Sequence, residues 1–161
     1  LTMSGQPTRR FAFEAFLPYD KKERTEILES LRNETRTIII YEAPHHLKKT
    51  LRECREYLGN RNMTVCKELT KRYEQKRKAT LDEMIAYYEE NEPRGEYVLI
   101  FEGKSPQELK EEKQQEWNQL TVEEHMDYYL EKGMDKKSAM KQVAKDRGVS
   151  KRDIYQELLK K

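Results

Sequence analysis

Residues 35–51, TRTIIIYEAPHHLKKTL, decide the fold of this chain. Residues 38–41 form a run of β-branched and aromatic side chains that is too short for a helix and is typical of a strand buried on both faces. Pro44 cannot extend that strand but suits the first turn of a helix, and leucines then recur at helical spacing. The stretch therefore predicts a strand, a tight turn and a helix.

The residues before this stretch predict another strand and another helix. Phe11, Phe13 and Phe16 mark a strand that must end by Pro18. Asp20, three residues before a glutamate, is an N-cap pattern, and the apolar residues behind it recur at helical spacing. The alternation of strand and helix thus begins near the start of the chain.

The residues after the central stretch continue the alternation. Residues 63–66 predict a short strand, and residues 67–80, KELTKRYEQKRKAT, contain a further predicted strand. Thr80 and Glu83 form a capping box for a helix, and residues 97–101 are the last apolar strand. We therefore predict an α/β fold, with a mixed sheet of about five strands packed with helices, over residues 1–104.

Residues 105–161 differ in composition and predict a small helical appendage. A polar helical connector comes first, and three short helices follow, each with clear start or stop signals. The start signals are Thr121 with Glu124, Asp135, and Ser150 with Asp153, and the stop signals are Gly133 and Gly148. This part of the chain is expected to form a separate domain.

Overall composition excludes several classes of protein. Charged residues make up 39% of the chain and hydrophobic residues 35%, yet the net charge is only +2, so no global field demands a nucleic-acid partner. No apolar run is long enough to span a membrane. Cys54 and Cys66 lack the spacing of a metal site and are predicted to be core thiols of a cytoplasmic protein. Because the chain opens with Leu1 in a loop-like segment, we expect it to be a fragment without its amino-terminal part.

The charge is distributed unevenly within the appendage. Residues 105–131 carry two basic and eight acidic residues, whereas residues 132–161 carry ten basic and four acidic residues. A basic helical pair joined by a short turn suits phosphate contacts, and a helix-turn-helix motif is one interpretation. A solvated basic surface is the other. The candidate RNA-binding residues are Lys136, Lys137, Arg147, Lys151 and Arg152. A second basic cluster, residues 67–78, either contacts RNA or protects a sheet edge from aggregation.

The residue types at the end of the central strand limit the chemistry. His45 and His46 are adjacent in a helical turn, so their side chains diverge, and no histidine metal site is expected. No nucleophilic triad and no glycine-rich phosphate loop stands out among six glycines, and no catalytic residue can be named. Glu42 either caps the next helix or contacts a ligand, and the cap is the favoured interpretation.

Four ordered phrases add a resemblance. SGQPTRRFAFEAFLP, TRTIIIYEAPHHLKKTL, CKELTKRYEQ and GEYVLIFEG resemble the carboxyl-terminal half of the ribosomal RNA small subunit methyltransferase I family, which belongs to the tetrapyrrole methylase superfamily. The resemblance covers residues 1–103 and implies the second of two α/β domains that enclose S-adenosylmethionine. It further implies methylation of the ribose 2′-hydroxyl of a cytidine in small-subunit ribosomal RNA, and a homodimer. The fragment alone is then expected to be inactive.

The resemblance also implies which residues meet the cofactor. Three strand ends would form the wall under the adenosine, in part through their backbone. The matching positions are Tyr41, Glu42, Glu68, Leu69, Gly95 and Glu96. Two alternatives stay open: a small-molecule tetrapyrrole methylase, which would not need the basic tail, and a helix-turn-helix nucleic-acid binding module attached to an inert α/β domain.

Overall fold

The computed structural model describes residues 1–159, and its strands form one five-stranded sheet. In chain order the strands are β1 (Phe11–Phe16), β2 (Thr37–Glu42), β3 (Asn62–Lys67), β4 (Gln75–Thr80) and β5 (Tyr97–Phe101). Their order across the sheet is β1-β2-β5-β3-β4. The β1–β2 pair is parallel and the other three pairs are antiparallel, which confirms the predicted mixed sheet.

The helices fall into two compact units. The first unit, Leu1–Ser105, contains α1 (Lys21–Leu31), α2 (Pro44–Leu58) and α3 (Leu81–Glu90), together with a short 3-10 turn, Thr2–Ser4. The second unit begins at Pro106 and contains α4 (Pro106–Asn118), α5 (Val122–Glu131), α6 (Lys136–Arg147) and α7 (Lys151–Leu159). The predicted α/β fold followed by helices is therefore confirmed.

The central strand and helix form the core of the first unit. Pro44 opens α2, as its fixed φ and missing N–H allow, and Gly59 ends it with a φ of 80°. The buried face of α2 packs with Ile38 and Ile40 of β2 in one apolar cluster. Cys54 belongs to this cluster, and burial raises the pKa of its thiol to about 12. Both cysteines are free and buried, as predicted.

The opposite face of β2 is covered by less protein. Ile39 lies there in a small cluster with Cys66 and Ile100, and Leu1 and Leu69 pack against that cluster. The run of isoleucines is thus buried on both faces, as its sequence predicted. At the outer strands of the sheet the covering is thinner still: Phe11, Phe13 and Phe16 of β1 remain exposed, and β4 carries Lys76, Arg77 and Lys78 of the basic cluster.

The helices of the second unit enclose an apolar core of their own. Its buried residues are Val122, Met126, Ala139, Met140, Val143, Ala144 and Ile154. Thr121 and Glu124 form a complete capping box at α5, and the Asp135 side chain accepts hydrogen bonds from two backbone N–H groups of α6. The predicted start and stop signals therefore function as expected at these helices.

A buried histidine makes the stability of the second unit depend on pH. The His125 ring is fully buried and stacks on Trp117, with ring centroids 4.0 Å apart. Its Nδ1 accepts a hydrogen bond of 3.2 Å from Arg147 Nε, which leaves the proton of the neutral ring on Nε2. Burial lowers the pKa of His125, and the charge of Arg147 lowers it further, although Asp146 acts in the opposite direction.

We expect the second unit to lose stability below about pH 6.5, the usual pKa of histidine. The unfolded chain takes up a proton there while the folded chain resists it, so stability is present above this pH and falls by at most about 1.4 kcal/mol per pH unit. Trp117 is the single tryptophan, so its fluorescence during urea unfolding at pH 7.5 and 5.5 reports on this unit. His125→Phe should remove the difference between the two midpoints. An unchanged difference in that variant would contradict the prediction.

Candidate functional site

Three strand ends lie side by side along one side of the sheet, which we call the strand-end edge to distinguish it from the outer strands β1 and β4. Glu42 of β2 and Lys67 of β3 both pair with Tyr97 of β5, one from each side. Because β5 runs antiparallel to both neighbours, the carboxyl ends of β2 and β3 lie beside the amino end of β5. This edge brings together the six residues predicted to meet a cofactor, which are Tyr41, Glu42, Glu68, Leu69, Gly95 and Glu96.

Glu68 and Glu96 join the ends of β3 and β5. Glu68 N–H donates to the Glu96 carbonyl at 2.9 Å, and Glu96 N–H donates to Glu68 Oε1 at 2.8 Å. Lys71 Nζ donates to the carboxylates of both, at 2.8 Å to Glu96 and 3.4 Å to Glu68. The hydrogen bond from the Glu96 N–H lowers the pKa of Glu68, and Lys71 lowers it further. The Glu96 and Glu68 carboxylates in turn raise the pKa of Lys71, and Glu96 has the larger effect. The edge therefore carries a hydrogen-bonded group of two acidic side chains and one basic side chain.

Gly95 allows this close approach. Its φ is 84°, in the region that favours glycine, and an added Cβ would lie 2.5 Å from Glu68 Oε1. Any larger residue would displace the Glu68 carboxylate from the Glu96 N–H. Gly95 is thus required by the contact between the two strand ends, in addition to serving as a turn residue.

The Glu42 side chain forms hydrogen bonds within the protein but does not cap α2, so the favoured interpretation of Glu42 as a helix cap is wrong. Its side chain is only 6% exposed, and Oε2 accepts a hydrogen bond of 2.5 Å from Thr50 Oγ1. Oε1 accepts from the N–H of Ala43, the N-cap residue itself, at 2.8 Å and not from the amides of the first turn of α2. Arg24 Nη2 lies 3.9 Å from Oε2. Any contact of Glu42 with a bound molecule at the strand ends would therefore come mainly from its backbone.

Tyr41 and Leu69 present different surfaces. Tyr41 is 38% exposed, and its ring meets Phe13 and Phe16 edge-on, with centroid distances of 5.0 and 5.8 Å. Leu69 is partly buried against the cluster that contains Ile39. Aromatic surface is thus available beside the strand ends, in the direction of β1.

Backbone strain is concentrated at the same edge. Within residues 1–159, the non-glycine residues with positive φ are Ala15 at 51°, Glu68 at 51° and Thr70 at 62°. Ala15 lies in a β-bulge near the carboxyl end of β1, which is parallel to β2, and the other two follow β3 directly. Such conformations cost about 1–3 kcal/mol each and cluster at functional sites. The strain marks this edge independently of the resemblance.

Sequence reasoning missed Arg24, which supports this edge from α1. Arg24 is buried with Leu28 and Leu31 on the inward face of the helix. The spacing of four and three residues between them was a usable signal, because it places a charge on an apolar stripe. An arginine in that position requires a buried acceptor.

The candidate RNA-binding residues of the appendage are not equivalent. Lys136 and Lys137 are exposed in the first turn of α6, and Lys151 and Arg152 are exposed in the first turn of α7. The two pairs are separated by the length of α6, about 18 Å. Arg147 is partly buried, and its guanidinium donates to His125 Nδ1 and, at 2.9 Å, to the Thr121 carbonyl. The Arg147 guanidinium therefore makes hydrogen bonds inside the second unit, whereas the other four side chains are exposed on its surface.

No group of three or more histidine, cysteine, aspartate or glutamate residues within residues 1–159 could hold a metal ion. No helix in the described part of the chain is long and apolar enough to cross a membrane.

Comparison with curated proteins finds relatives that share one name. The chain is 44% identical over 155 residues to ribosomal RNA small subunit methyltransferase I of Bacillus subtilis (strain 168), an alignment covering 96% of this chain and 53% of the relative. The protein of the same name from Halalkalibacterium halodurans is also 44% identical over 155 residues, with the same coverage of 96% and 53%. The chain is similar to the carboxyl-terminal part of these methyltransferases. This confirms the resemblance read from the four phrases.

A third relative extends the comparison. Ribosomal RNA small subunit methyltransferase I of Synechocystis sp. is 38% identical over 157 residues, covering 97% of this chain and 54% of the relative. No family model matches the chain. The chain spans about half the length of the curated relatives it matches.

Proposed function

We propose that this chain is the carboxyl-terminal half of an S-adenosylmethionine-dependent methyltransferase that acts on small-subunit ribosomal RNA. The similarity to ribosomal RNA small subunit methyltransferase I over 96% of the chain carries the proposal. The target is the ribose 2′-hydroxyl of a cytidine, as the resemblance implies. The protein is cytoplasmic and forms a homodimer, which light scattering of the full-length protein would measure.

The residues at the strand ends suit one side of a nucleoside-like cofactor. Tyr41 and Leu69 offer apolar surface for an adenine ring, and Gly95 brings its backbone within reach without a side chain. The carboxylates of Glu68 and Glu96 favour a nearby positive charge such as a sulfonium. When bound, S-adenosylmethionine supplies an electrophilic methyl group. The task of this chain is to hold and orient its adenosine part and to exclude water from one side.

A methyl-transfer assay tests the proposal. The full-length protein should transfer labelled methyl groups to small ribosomal subunits, and nuclease mapping should locate the label on a cytidine ribose. This chain alone should transfer none and should bind the cofactor very weakly, because each 1.4 kcal/mol of lost contact lowers affinity about tenfold. Micromolar cofactor binding by the chain alone, measured by calorimetry, would contradict a cleft shared between two domains. Mixing in the separately made amino-terminal half should restore activity.

Residues 132–161, the basic tail, carry four exposed cations in the first turns of α6 and α7. We expect the combined change of Lys136, Lys137, Lys151 and Arg152 to glutamine to weaken RNA binding by the full-length protein and to reduce its salt dependence. Each lost phosphate contact should reduce, by about 1, the steepness with which the logarithm of the binding constant falls against the logarithm of the salt concentration. Positive charge is unfavourable at helix amino-terminal ends, so this variant should be at least as stable as the parent. Arg147 also belongs to the predicted RNA-binding set but is left unchanged, because its internal hydrogen bonds would be lost.

A matched control separates specific contacts from net charge. Lys110 and Lys113 are exposed on the acidic helix α4, and changing both to glutamine removes charge from the same unit. RNA affinity and slope should be nearly unchanged in that control. If the two variants lose the same RNA affinity per charge removed, the basic helical pair makes no specific RNA contact and is a solvated surface.

The helix-turn-helix alternative rests on one observation. Helices α6 and α7 are joined by three residues that include Gly148, which is typical of this motif. Salt-sensitive DNA binding by the full-length protein, without methyl transfer to ribosomal RNA, would favour this alternative. A small-molecule tetrapyrrole methylase would instead be insensitive to the tail variant.

A further inference from the structure

A pocket opens beside the strand-end edge, between the carboxyl ends of β1 and β2 and the first turns of α2. Phe16, Pro18 and Tyr19 form one wall, His46 and Lys49 of α2 form the other, and Glu42 lies at the base. The pocket lies outside the six residues assigned to the cofactor except at Glu42. It has no role in the function proposed above.

The base of the pocket is rigid and electrically balanced. Arg24, which also lines it, donates 2.7 and 2.6 Å hydrogen bonds to Glu53 and Thr50, and Nη1 reaches the Pro18 carbonyl at 3.4 Å. The two cations Arg24 and Lys49 face the two carboxylates of Glu42 and Glu53. An anionic ligand would therefore gain little net attraction at the base of the pocket, which favours a neutral ligand.

The rim of the pocket is aromatic and exposed. Tyr19 is 85% exposed and Phe16 is 61% exposed, although burial would stabilise both rings. The Tyr19 ring meets His46 edge-on at 5.4 Å, so it is positioned without being covered. The bulge at Ala15 immediately precedes Phe16, and bulges beside functional sites redirect side chains in this way. Exposed aromatic faces of this kind stack on nucleobases.

We propose that this pocket receives the base of an unpaired RNA nucleotide, stacked on Tyr19 and Phe16. The balanced base of the pocket favours a neutral planar group over a phosphate or an acidic peptide. Phe16 also contacts Tyr41, at 5.8 Å between ring centroids, so a nucleotide stacked on Phe16 lies beside the cofactor edge. The inference rests on the proposed function and adds to it the location of the target nucleotide.

Single substitutions in the full-length protein test the pocket. Tyr19→Ala and Phe16→Ala should each lower kcat/KM for methylation of small ribosomal subunits by about tenfold to a hundredfold, since a base–aromatic stack has about that effect. Calorimetric affinity for S-adenosylmethionine should be unchanged in Tyr19→Ala. Tyr19→Phe keeps the ring and should retain activity. Phe11→Ala, at the other end of β1 and 46% exposed, is the matched control and should behave as the parent.

A binding measurement separates this inference from the proposed function. Affinity for a single-stranded oligoribonucleotide should fall about tenfold in Tyr19→Ala and stay unchanged in Tyr19→Phe and Phe11→Ala. If the parent protein transfers no methyl group to ribosomal RNA, the proposed function fails, while this loss of affinity still supports the pocket. Equal oligonucleotide affinity and equal kcat/KM in Tyr19→Ala, Phe16→Ala and the parent would overturn the pocket as a base-binding site.

Discussion

Replacing Arg24 with alanine is expected to lower the free energy of unfolding of this chain by about 3–5 kcal/mol. The Arg24 side chain is 11% exposed and bonds to Glu53 and Thr50, and Thr50 in turn donates to Glu42. Without the guanidinium, the 6% exposed carboxylate of Glu42 stays buried and loses the cation that lies 3.9 Å from its Oε2. The unfolding of the sheet in urea, followed by far-ultraviolet circular dichroism, measures the loss.

Two further variants make this prediction specific. Lys22→Ala removes a cation from the same helix at an 87% exposed position and should change stability by less than about 0.5 kcal/mol. Adding Glu42→Gln to Arg24→Ala should recover part of the loss, because a neutral amide needs no compensating charge. A loss that is the same in the single and double variants would mean that packing of the arginine stem, and not charge, is responsible.

The order of elements could be predicted from the sequence because its signals are local. The break at Pro44 after three isoleucines, the capping boxes at Thr80 and Thr121, and the stop at Gly148 each act within a few residues. Local signals of this kind agree with the final fold at every boundary they mark. They made the β2–turn–α2 unit and the helical appendage predictable without any knowledge of tertiary contacts.

The partners of buried charges could not be predicted in this way. Glu42 and Arg24 are eighteen residues apart in the sequence and lie on different elements, and nothing local distinguishes a capping carboxylate from one that pairs with a distant guanidinium. The same holds for Arg147, which the charge pattern places among RNA-binding residues although its hydrogen bonds are internal. Positive φ at Ala15 and Thr70 is likewise set by pairing and loop closure, since neither residue type favours it.

Gly103→Ala is expected to destabilise the first unit by about 3 kcal/mol, because the new methyl group would meet backbone. A Cβ on Gly103 would lie 2.2 Å from the Thr35 carbonyl oxygen and 2.5 Å from that of Arg36, directly before β2. The neighbouring Lys104 N–H donates to the Glu34 carbonyl at 2.7 Å, so the two segments cannot separate without breaking that bond.

Gly59 provides the control for this clash. Gly59 has a φ of 80°, and among the described residues no heavy atom lies within 4 Å of an added Cβ. Gly59→Ala should therefore lose only the conformational cost of a positive φ combined with its ψ of −172°, about 1–3 kcal/mol. Gly103 does not have a φ in the region that favours glycine, so any loss of stability in Gly103→Ala comes from contact with the carbonyl groups of Thr35 and Arg36. Urea midpoints measured by far-ultraviolet circular dichroism compare the two variants, and a smaller loss for Gly103→Ala than for Gly59→Ala would show that the residues before β2 yield to the methyl group.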